Sequence, residues 1–515
     1  MTTHKGLVAG IDFGTQALKF SLFTLEGKLV WRGERSYPTF FPLAGRAEQK
    51  PEHWWQALVE VLKEAANFVL LSRIEGIGVC ATSSTVLVVD EVGVPQTPAL
   101  LWMDNRAVDQ AKAINEKADP AVKEVLRYSG GKVSEEWMVA KVLYLKEHGY
   151  LTTGRKVVEQ LDWINFKLTG RWSASQCNAV CKWNYQVGKG FSPAFFEAIV
   201  LPDYQKLWPQ EVIPVGSRVG EVTEQAAVEL GIAPGIPVFQ GGIDAHIGML
   251  GAGAVEPGLM SLIMGTSFVH LVHTEKPIFH EGLWGPYENA ILPDQWLIEG
   301  GQLSCGSLTT WFLQQFYPHV SAEEMGSVYE EVVAEAGKIA PGSDGLVMMD
   351  SWQGNRTPYR DPLVTGSMVG LTLAHTRYHI FRAILEATAY GTRNIIAAFE
   401  DSHVPIKRII ACGGGTKNAL WMQILSDVTG LVIETLEETE AGSKGAAIVA
   451  AYGLGKYPSL ADAAKANVRS GRVYSPQKEA HEKYVRYFAA YLDLHAALIP
   501  IMKGLASPEK GDGMR

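Results

Sequence analysis

At 515 residues the chain is too long for one ordinary hydrophobic core, and two large domains are the expectation. Apolar residues make up 47% and charged residues 20%, with 14 Trp and 18 Tyr, which excludes a disordered or low-complexity chain. A formal net charge of -9 argues against a protein that tracks nucleic acid, although backbone amides at a glycine turn hold a small anion without any basic patch.

The opening "MTTHKGLVAGIDFG" reaches an acidic residue before the apolar region of a signal peptide develops, and no run approaches about 18 uninterrupted apolar residues. A cytoplasmic, soluble protein with no membrane partner is expected. Leu7 to Ile11 is a nearly continuous apolar run, as in a strand buried on both faces, and Asp12 interrupts it just before Gly14 and Thr15. After that turn Leu18, Phe20 and Leu22 alternate with Lys19 and Ser21, and "LEGK" turns the chain into "LVWRG". The spacing predicts an antiparallel meander of three strands.

"PEHWWQALVEVLKEAANFVL" then places Trp54, Leu58, Val61, Leu62 and Ala65 at helical spacing behind Pro51, and "IEGIGVCATSSTVLVVDEVG" returns to strands. Strands alternating with helices indicate an α/β class with helices on a mixed sheet. A second cycle starts near residue 254, where "LMSLIMGTSFVHLVHT" repeats the opening order of strand, Gly-Thr turn and strand. Read as a duplication rather than a chance echo, the repeat predicts two similar domains facing a cleft, residues 1–253 and 254–455. A third glycine turn, "IIACGGGTKNALWMQILSDVTG", leads from a strand into a helix carrying Leu420, Ile424 and Val428 on one face. Residues 456–515 read as a peripheral helical extension whose closing "SPEKGDGMR" frays.

The five cysteines are scattered and read as reduced thiols. Cys177 and Cys181 form the one close pair, with no second pair or histidine cluster to complete a zinc site.

Three glycine turns suggest three parts of a nucleotide, two for the polyphosphate and one for the nucleoside. A carboxylate beside a phosphate turn makes sense where Mg²⁺ sits between them, so Asp12 is a candidate metal residue; the alternative is that it satisfies the turn's own amides. Asp244 in "QGGIDAHIGML" has small neighbours and room for a ligand, which suits a base accepting a hydroxyl proton; the alternative is a helix N-cap.

"GIDFGTQALKFSLF", "GGIDAHIGMLGAG", "IMGTS", "GSMVGLTLAHTRYHIFRAILEA" and "CGGGTKN" occur in the order and approximate spacing of the FGGY carbohydrate kinases, which the chain resembles from residue 6 to about 455. The resemblance implies two actin-like, ribonuclease H-like domains that transfer the γ-phosphate of ATP, with Mg²⁺, to a sugar or polyol hydroxyl. It implies Asp244 as catalytic base, and Asp12, Gly14, Thr15 and Lys19 at the first phosphate turn. Gly265 and Thr266 fall on the second phosphate turn, Gly306 and Thr310 on the adenosine pocket, and Gly414 and Asn418 on the turn under the nucleoside. Several members carry Gln in place of Thr310.

The stretches "ATSSTVLVVDEVG", "LLWMDNRA", "VCKWNY", "WGPYENAILPDQWLIEGGQ" and "SWQGNRTPYRDP" look most like the ribulokinase branch. Glycerol kinases carry an Arg-Glu pair, and xylulokinases often Met-His, where this chain has Thr82 and Ser83. That branch implies Lys182 and Glu299 as sugar contacts, a sensible pair because an ammonium donates and a carboxylate accepts from adjacent hydroxyls. Thr82, Ser83 and Asp104 are further sugar candidates; Asp104 is equally read as an internal ion pair with Arg106, Lys182 as a solvated charge and Glu299 as a strand-end residue. Asn105 stands where related members more often have His, which leaves the exact sugar open. The resulting expectation is a kinase of D-ribulose or L-ribulose that also allows a homodimer. The alternatives are a kinase of xylulose, erythritol or glycerol, or an actin- or chaperone-like ATPase.

Overall fold

The computed structural model describes residues 6–506, so the expected fraying of "SPEKGDGMR" lies outside the described residues. The opening meander forms as the alternation predicts: β1 (Leu7–Phe13), β2 (Ala17–Thr24) and β3 (Leu29–Ser36) pair antiparallel in sequence order. Helix α1 (Pro51–Ala65) turns its Trp54, Leu58, Val61, Leu62 and Ala65 into the core, with Pro51 in its first turn. β4 (Ile74–Ala81) lies parallel to β1. Val86–Val89 leaves that sheet for a separate four-stranded one with Glu48–Gln49, Ala99–Leu100 and Lys156–Glu159. After the short helix α2 (Gln176–Lys182), β5 (Arg218–Glu221) and β6 (Pro237–Ile243) complete a mixed sheet of order β5-β6-β4-β1-β2-β3, and α3 (Asp244–Gly251) leaves the end of β6.

The second half repeats the plan. β7 (Leu259–Met264) and β8 (Phe268–Thr274) flank the Gly265-Thr266 turn, β9 (Trp284–Glu288) and β10 (Trp296–Gln302) extend the antiparallel side, and α4 (Gly306–Phe316) follows. Beyond α5 (Arg377–Asp401), β11 (Arg408–Cys412) pairs parallel to β7, and α6 (Ala419–Thr429) leads to β12 (Val432–Leu436), parallel to β11. The order β10-β8-β7-β11-β12 matches β3-β2-β1-β4-β6 strand for strand and direction for direction, so the echo of strand, Gly-Thr turn and strand extends to whole sheets.

Helix α7 (Ala441–Gly453) follows β12 in the chain yet lies on the sheet of the first half. Its small residues, "AGSKGAAIVAAYG", allow this because Gly10 and Gly78 sit side by side in register beneath it. A Cβ on Gly10 would lie 1.8 Å from the Ser443 carbonyl oxygen, and one on Gly78 would lie 1.9 Å from that of Ala446. Backbone therefore meets backbone, and α7 also packs along α3.

Residues 456–515 differ from expectation. Ser470–Tyr474 (β13) is an edge strand of the second sheet, antiparallel to β12, and α8 (Lys478–Ala506) sinks Tyr484 and Tyr491 fully into the core. Tyr484 donates to Glu386 at 2.9 Å and receives a hydrogen bond from Arg382, while Tyr491 donates to Asp350 at 2.7 Å. These anchors hold a helix whose length and composition alone would suffice to cross a bilayer. The Arg382 and Glu386 of the "GSMVGLTLAHTRYHIFRAILEA" signature are a buried ion pair at 2.8 Å, so this part of the signature serves packing.

Gly78→Ala is expected to destabilise the chain by about 1–3 kcal/mol in urea unfolding, because backbone rather than a flexible side chain blocks the new methyl. Gly326→Ala, with open space around it, should be near neutral or stabilise by up to about 1 kcal/mol. Equal midpoints for the two variants would contradict the close seat of α7.

Candidate active site

The acidic residue that interrupts the first strand sits at the end of β1, opposite Lys19 on β2 and beside Cys80 on β4. A Cβ on Gly442 would lie 2.2 Å from Asp12 Oδ2, so the carboxylate rests against the start of α7. Oδ1 is buried and has no hydrogen-bond partner among the described residues. Burial first, and the charge of Asp244 second, push its pKa up to about 7. Asp12 and Asp244, 232 positions apart in the chain, thus lie close enough for the charge of one to raise the proton affinity of the other.

Asp244 opens α3, where its Oδ1 accepts the Ala245 N–H at 2.7 Å. It remains half-buried rather than sealed, and burial raises its pKa against the opposing pull of that N–H, His246 and Lys19. Asp244 is the first helical residue, with Ile243 as the N-cap, and its Oδ1 is engaged by the N–H of the next residue. Lys19 contacts Glu440 at 2.5 Å, and this contact raises its pKa in spite of burial. Because Glu440 takes up that ammonium, the two carboxylates remain under-compensated. An oxygen-rich, unpartnered site of this kind fits a hard divalent cation, with Asp12 as its protein ligand.

Each of the three glycine turns is fixed by its own contacts. Gly14 N–H donates to Ala17 O at 3.1 Å, and the Thr15 hydroxyl accepts from Trp102 Nε1 at 2.9 Å. Gly265 and Thr266 are exposed, and Thr266 O accepts from the N–H groups of Cys305 and Ser307 at 3.2 and 3.1 Å, which docks the start of α4 on the turn. A Cβ on Gly306 would come within 2.4 Å of Gly265 O, so that docking requires glycine. Thr310 is exposed one turn along α4. Gly414 has open space above it, whereas Asn418 is buried and fully used: Oδ1 caps α6 by accepting from Trp421 N–H at 3.0 Å, and Nδ2 donates to Tyr329 at 2.9 Å.

On the other side of Asp244, Lys182 at the end of α2 and Glu299 on β10 meet across the two halves at 3.6 Å. Both are largely buried, and Lys182 also lies 5.2 Å over the Trp137 ring. Although burial opposes it, Lys182, His246 and Arg356 hold the Glu299 carboxyl far below its ordinary range. His246, two residues after Asp244, links these groups through Nε2, 3.4 Å from Glu299 Oε2.

Two sugar candidates are held by other parts of the protein. Thr82 is buried, with its hydroxyl bonded to Thr85 at 2.7 Å and Gln160 at 2.9 Å. Asp104 is fully buried and saturated by Arg106 Nε and Nη2 at 2.7 and 2.8 Å, and by the N–H groups of Ala47 and Arg106 at 2.7 and 3.1 Å. Asp104 has no free acceptor to offer, and the Thr82 hydroxyl hydrogen is already committed. The Ser83 hydroxyl, by contrast, is unpartnered among the described residues.

Sequence reasoning missed three groups. Arg356 grips Glu136 at 2.9 and 3.0 Å across the halves, His246 ties α3 to Glu299, and His246 also reaches the Cys177–Cys181 pair. The i, i+4 spacing of the cysteines on a helix was the one available signal, since it puts both sulfurs on one face.

Residues 7–251 match the model of the FGGY family of carbohydrate kinases, N-terminal domain, and residues 260–454 match that of the C-terminal domain. A ribulokinase of Geobacillus thermodenitrificans is 33% identical, with 95% of this chain and 94% of that protein covered. The FGGY carbohydrate kinase domain-containing protein of Homo sapiens is 31% identical, over 94% of this chain and 95% of its own. Among solved structures, a xylulose kinase from Rhodospirillum rubrum superposes with a TM-score of 0.83 at 26% identity, covering 96% of this chain and 99% of its own.

Asp12 binds its proton more tightly in the folded chain, about 7 against an ordinary 3.8, so its ionisation lowers stability as pH rises through that interval. Without divalent ions, Asp12→Asn is therefore expected to stabilise the chain at pH 8 by up to a few kcal/mol, at about 1.4 kcal/mol per tenfold change in proton affinity, seen as a raised Tm, and to make no difference near pH 3. An Asp12→Asn variant no more stable than the parent at pH 8 would remove the crowded-carboxylate account. Asp104→Ala should cost about 3–5 kcal/mol by stranding Arg106, with the sugar KM of the folded fraction unchanged. A raised sugar KM at full stability would return Asp104 to the sugar site.

Proposed function

The chain belongs to the FGGY family of carbohydrate kinases, and on that premise we propose that this sugar kinase phosphorylates a ketopentose, D-ribulose or L-ribulose, at a terminal hydroxyl. The observation that carries this reading is the position of Asp244. Its charge acts on Asp12 on one side, and through His246 on the same helix it adjoins the Lys182–Glu299 pair on the other.

In this reading ATP lies along the Gly14-Thr15 and Gly265-Thr266 turns, with its nucleoside towards Gly306, Thr310 and Gly414. Asn418 contributes by fixing the last turn. Lys182 donates to, and Glu299 accepts from, adjacent sugar hydroxyls, and Ser83 offers a third contact. The free oxygen of Asp244 accepts the proton of the terminal hydroxyl as that oxygen forms its bond to the γ-phosphorus; the bond from γ-phosphorus to the bridging oxygen breaks, and ADP leaves. The raised pKa of Asp244 suits a group that must accept a proton during the step and return it afterwards. A Mg²⁺ held at Asp12 neutralises phosphate charge when bound. Closure of the two halves excludes water, which would otherwise compete as acceptor.

A coupled ADP-release assay over the four ketopentoses, erythritol and glycerol tests the assignment. The expected result is turnover with a ribulose well above any other acceptor, and a kcat at least about 10²-fold lower in Asp244→Asn with little change in sugar affinity. Preference for xylulose would move the substrate towards that of the Rhodospirillum rubrum relative, and ADP release without any acceptor would favour the ATPase. Near-normal turnover in Asp244→Asn would refute the base.

A further inference from the structure

Three side chains beneath the proposed sugar pair have no part in that reaction. Cys177 and Cys181 stand one turn apart on α2, so both sulfurs point the same way, towards His246 on α3. Cys177 Sγ lies 3.4 Å from His246 Nδ1 and Cys181 Sγ lies 3.7 Å from it, and all three donor atoms fall within 4.8 Å of one another. All three residues are at most 1% exposed.

We propose that Cys177, Cys181 and His246 Nδ1 form a site for one thiophilic divalent cation of the Zn²⁺ class. A tetrahedral zinc with sulfur at about 2.3 Å and nitrogen at about 2.0–2.1 Å sets its sulfur–nitrogen edges at about 3.6 Å. The observed 3.4 and 3.7 Å edges bracket that length, so a cation enters without a change of backbone. The imidazole is oriented for it. Nε2 faces Glu299, which fixes the ring and leaves Nδ1 towards the sulfurs, the carboxylate–histidine–metal arrangement that supports metal-bound histidines. Charge also balances, since two protons leave the cysteine–imidazole cluster as a dication arrives and the buried cluster keeps its net charge.

The site touches the sugar pair at two points: Cys181 precedes Lys182 in the chain, and His246 holds Glu299. A cation on Nδ1 makes the Nε2–H a stronger donor, drawing Glu299 away from Lys182 and from a sugar hydroxyl. The cation thereby weakens the sugar and leaves ATP unaffected. This coupling rests on the sugar assignment above; the binding of the cation does not.

The test uses the full chain, reduced, stripped with a chelator and titrated anaerobically with Co²⁺. A sulfur-to-cobalt charge-transfer band saturating at one equivalent is expected, lost on addition of Zn²⁺ and reduced at least several-fold in both Cys177→Ser and Cys181→Ser. X-ray absorption of the Zn²⁺-loaded parent chain, which requires no variant, should give two sulfur neighbours and at least one nitrogen. Absence of the charge-transfer band, or a shell of nitrogen and oxygen only, overturns the site and leaves a thiol–imidazole hydrogen-bond cluster. In the ADP-release assay Zn²⁺ should raise the ketopentose KM several-fold at constant ATP KM. A bound cation with an unchanged ketopentose KM keeps the site and overturns the coupling, and if no ketopentose is accepted the cobalt titration still decides the site.

Discussion

The placing of Asp12 and Asp244 depends on a helix from late in the chain that lies backbone to backbone on the sheet formed at its start. Gly10 and Gly78, paired in register, leave a flat floor that the small residues of Ala441–Gly453 fill, and Ser21 and Ser443 add a buried hydroxyl contact at 2.9 Å. From that seat three details of the site follow. Glu440 reaches Lys19, Gly442 confines Asp12, and Gly445 packs against the carbonyl of Ile247 in the helix that Asp244 opens. A larger side chain at any of these contacts would separate surfaces that define the reacting centre to within tenths of an ångström.

Buried carboxylates differ here in how fully they are partnered. Asp104 and Glu386 are saturated by arginine and by N–H or hydroxyl donors, which turns a costly burial into a rigid strut. Asp12 keeps one oxygen without a partner among the described residues, and burial raises the proton affinity of both Asp12 and Asp244. Two such carboxylates close together are an electrostatic cost. Glu299 lies between these cases, held ionised by Lys182, His246 and Arg356 yet bound to them at distances of 3.4 and 3.6 Å that leave room for a sugar hydroxyl to compete.

Much of this was legible from local pattern. The meander, the helix behind Pro51, the three glycine turns and the repeated strand–turn–strand each depend on neighbours within about ten residues, and each forms as read. The misreadings share a cause. Ser470–Tyr474 is a strand because β12 offers it an edge, Thr82 is silent because Gln160 takes its hydroxyl, and the cysteine pair acquires a histidine because β6 ends beside α2. None of these partners lies near in sequence.

Spacing and residue type by themselves determined which segments become strands and helices, where the phosphate-sized turns fall and which polar residues are candidates for chemistry. Those properties arise from periodicity and turn stereochemistry, which act over a few residues. Only the tertiary structure decided which candidates are consumed and which are left with an unused lone pair, because hydrogen-bond saturation and burial depend on groups brought together across hundreds of residues. Asp104 and Asp12 look alike in the sequence; Arg106 on one and an unpaired buried oxygen on the other make them different.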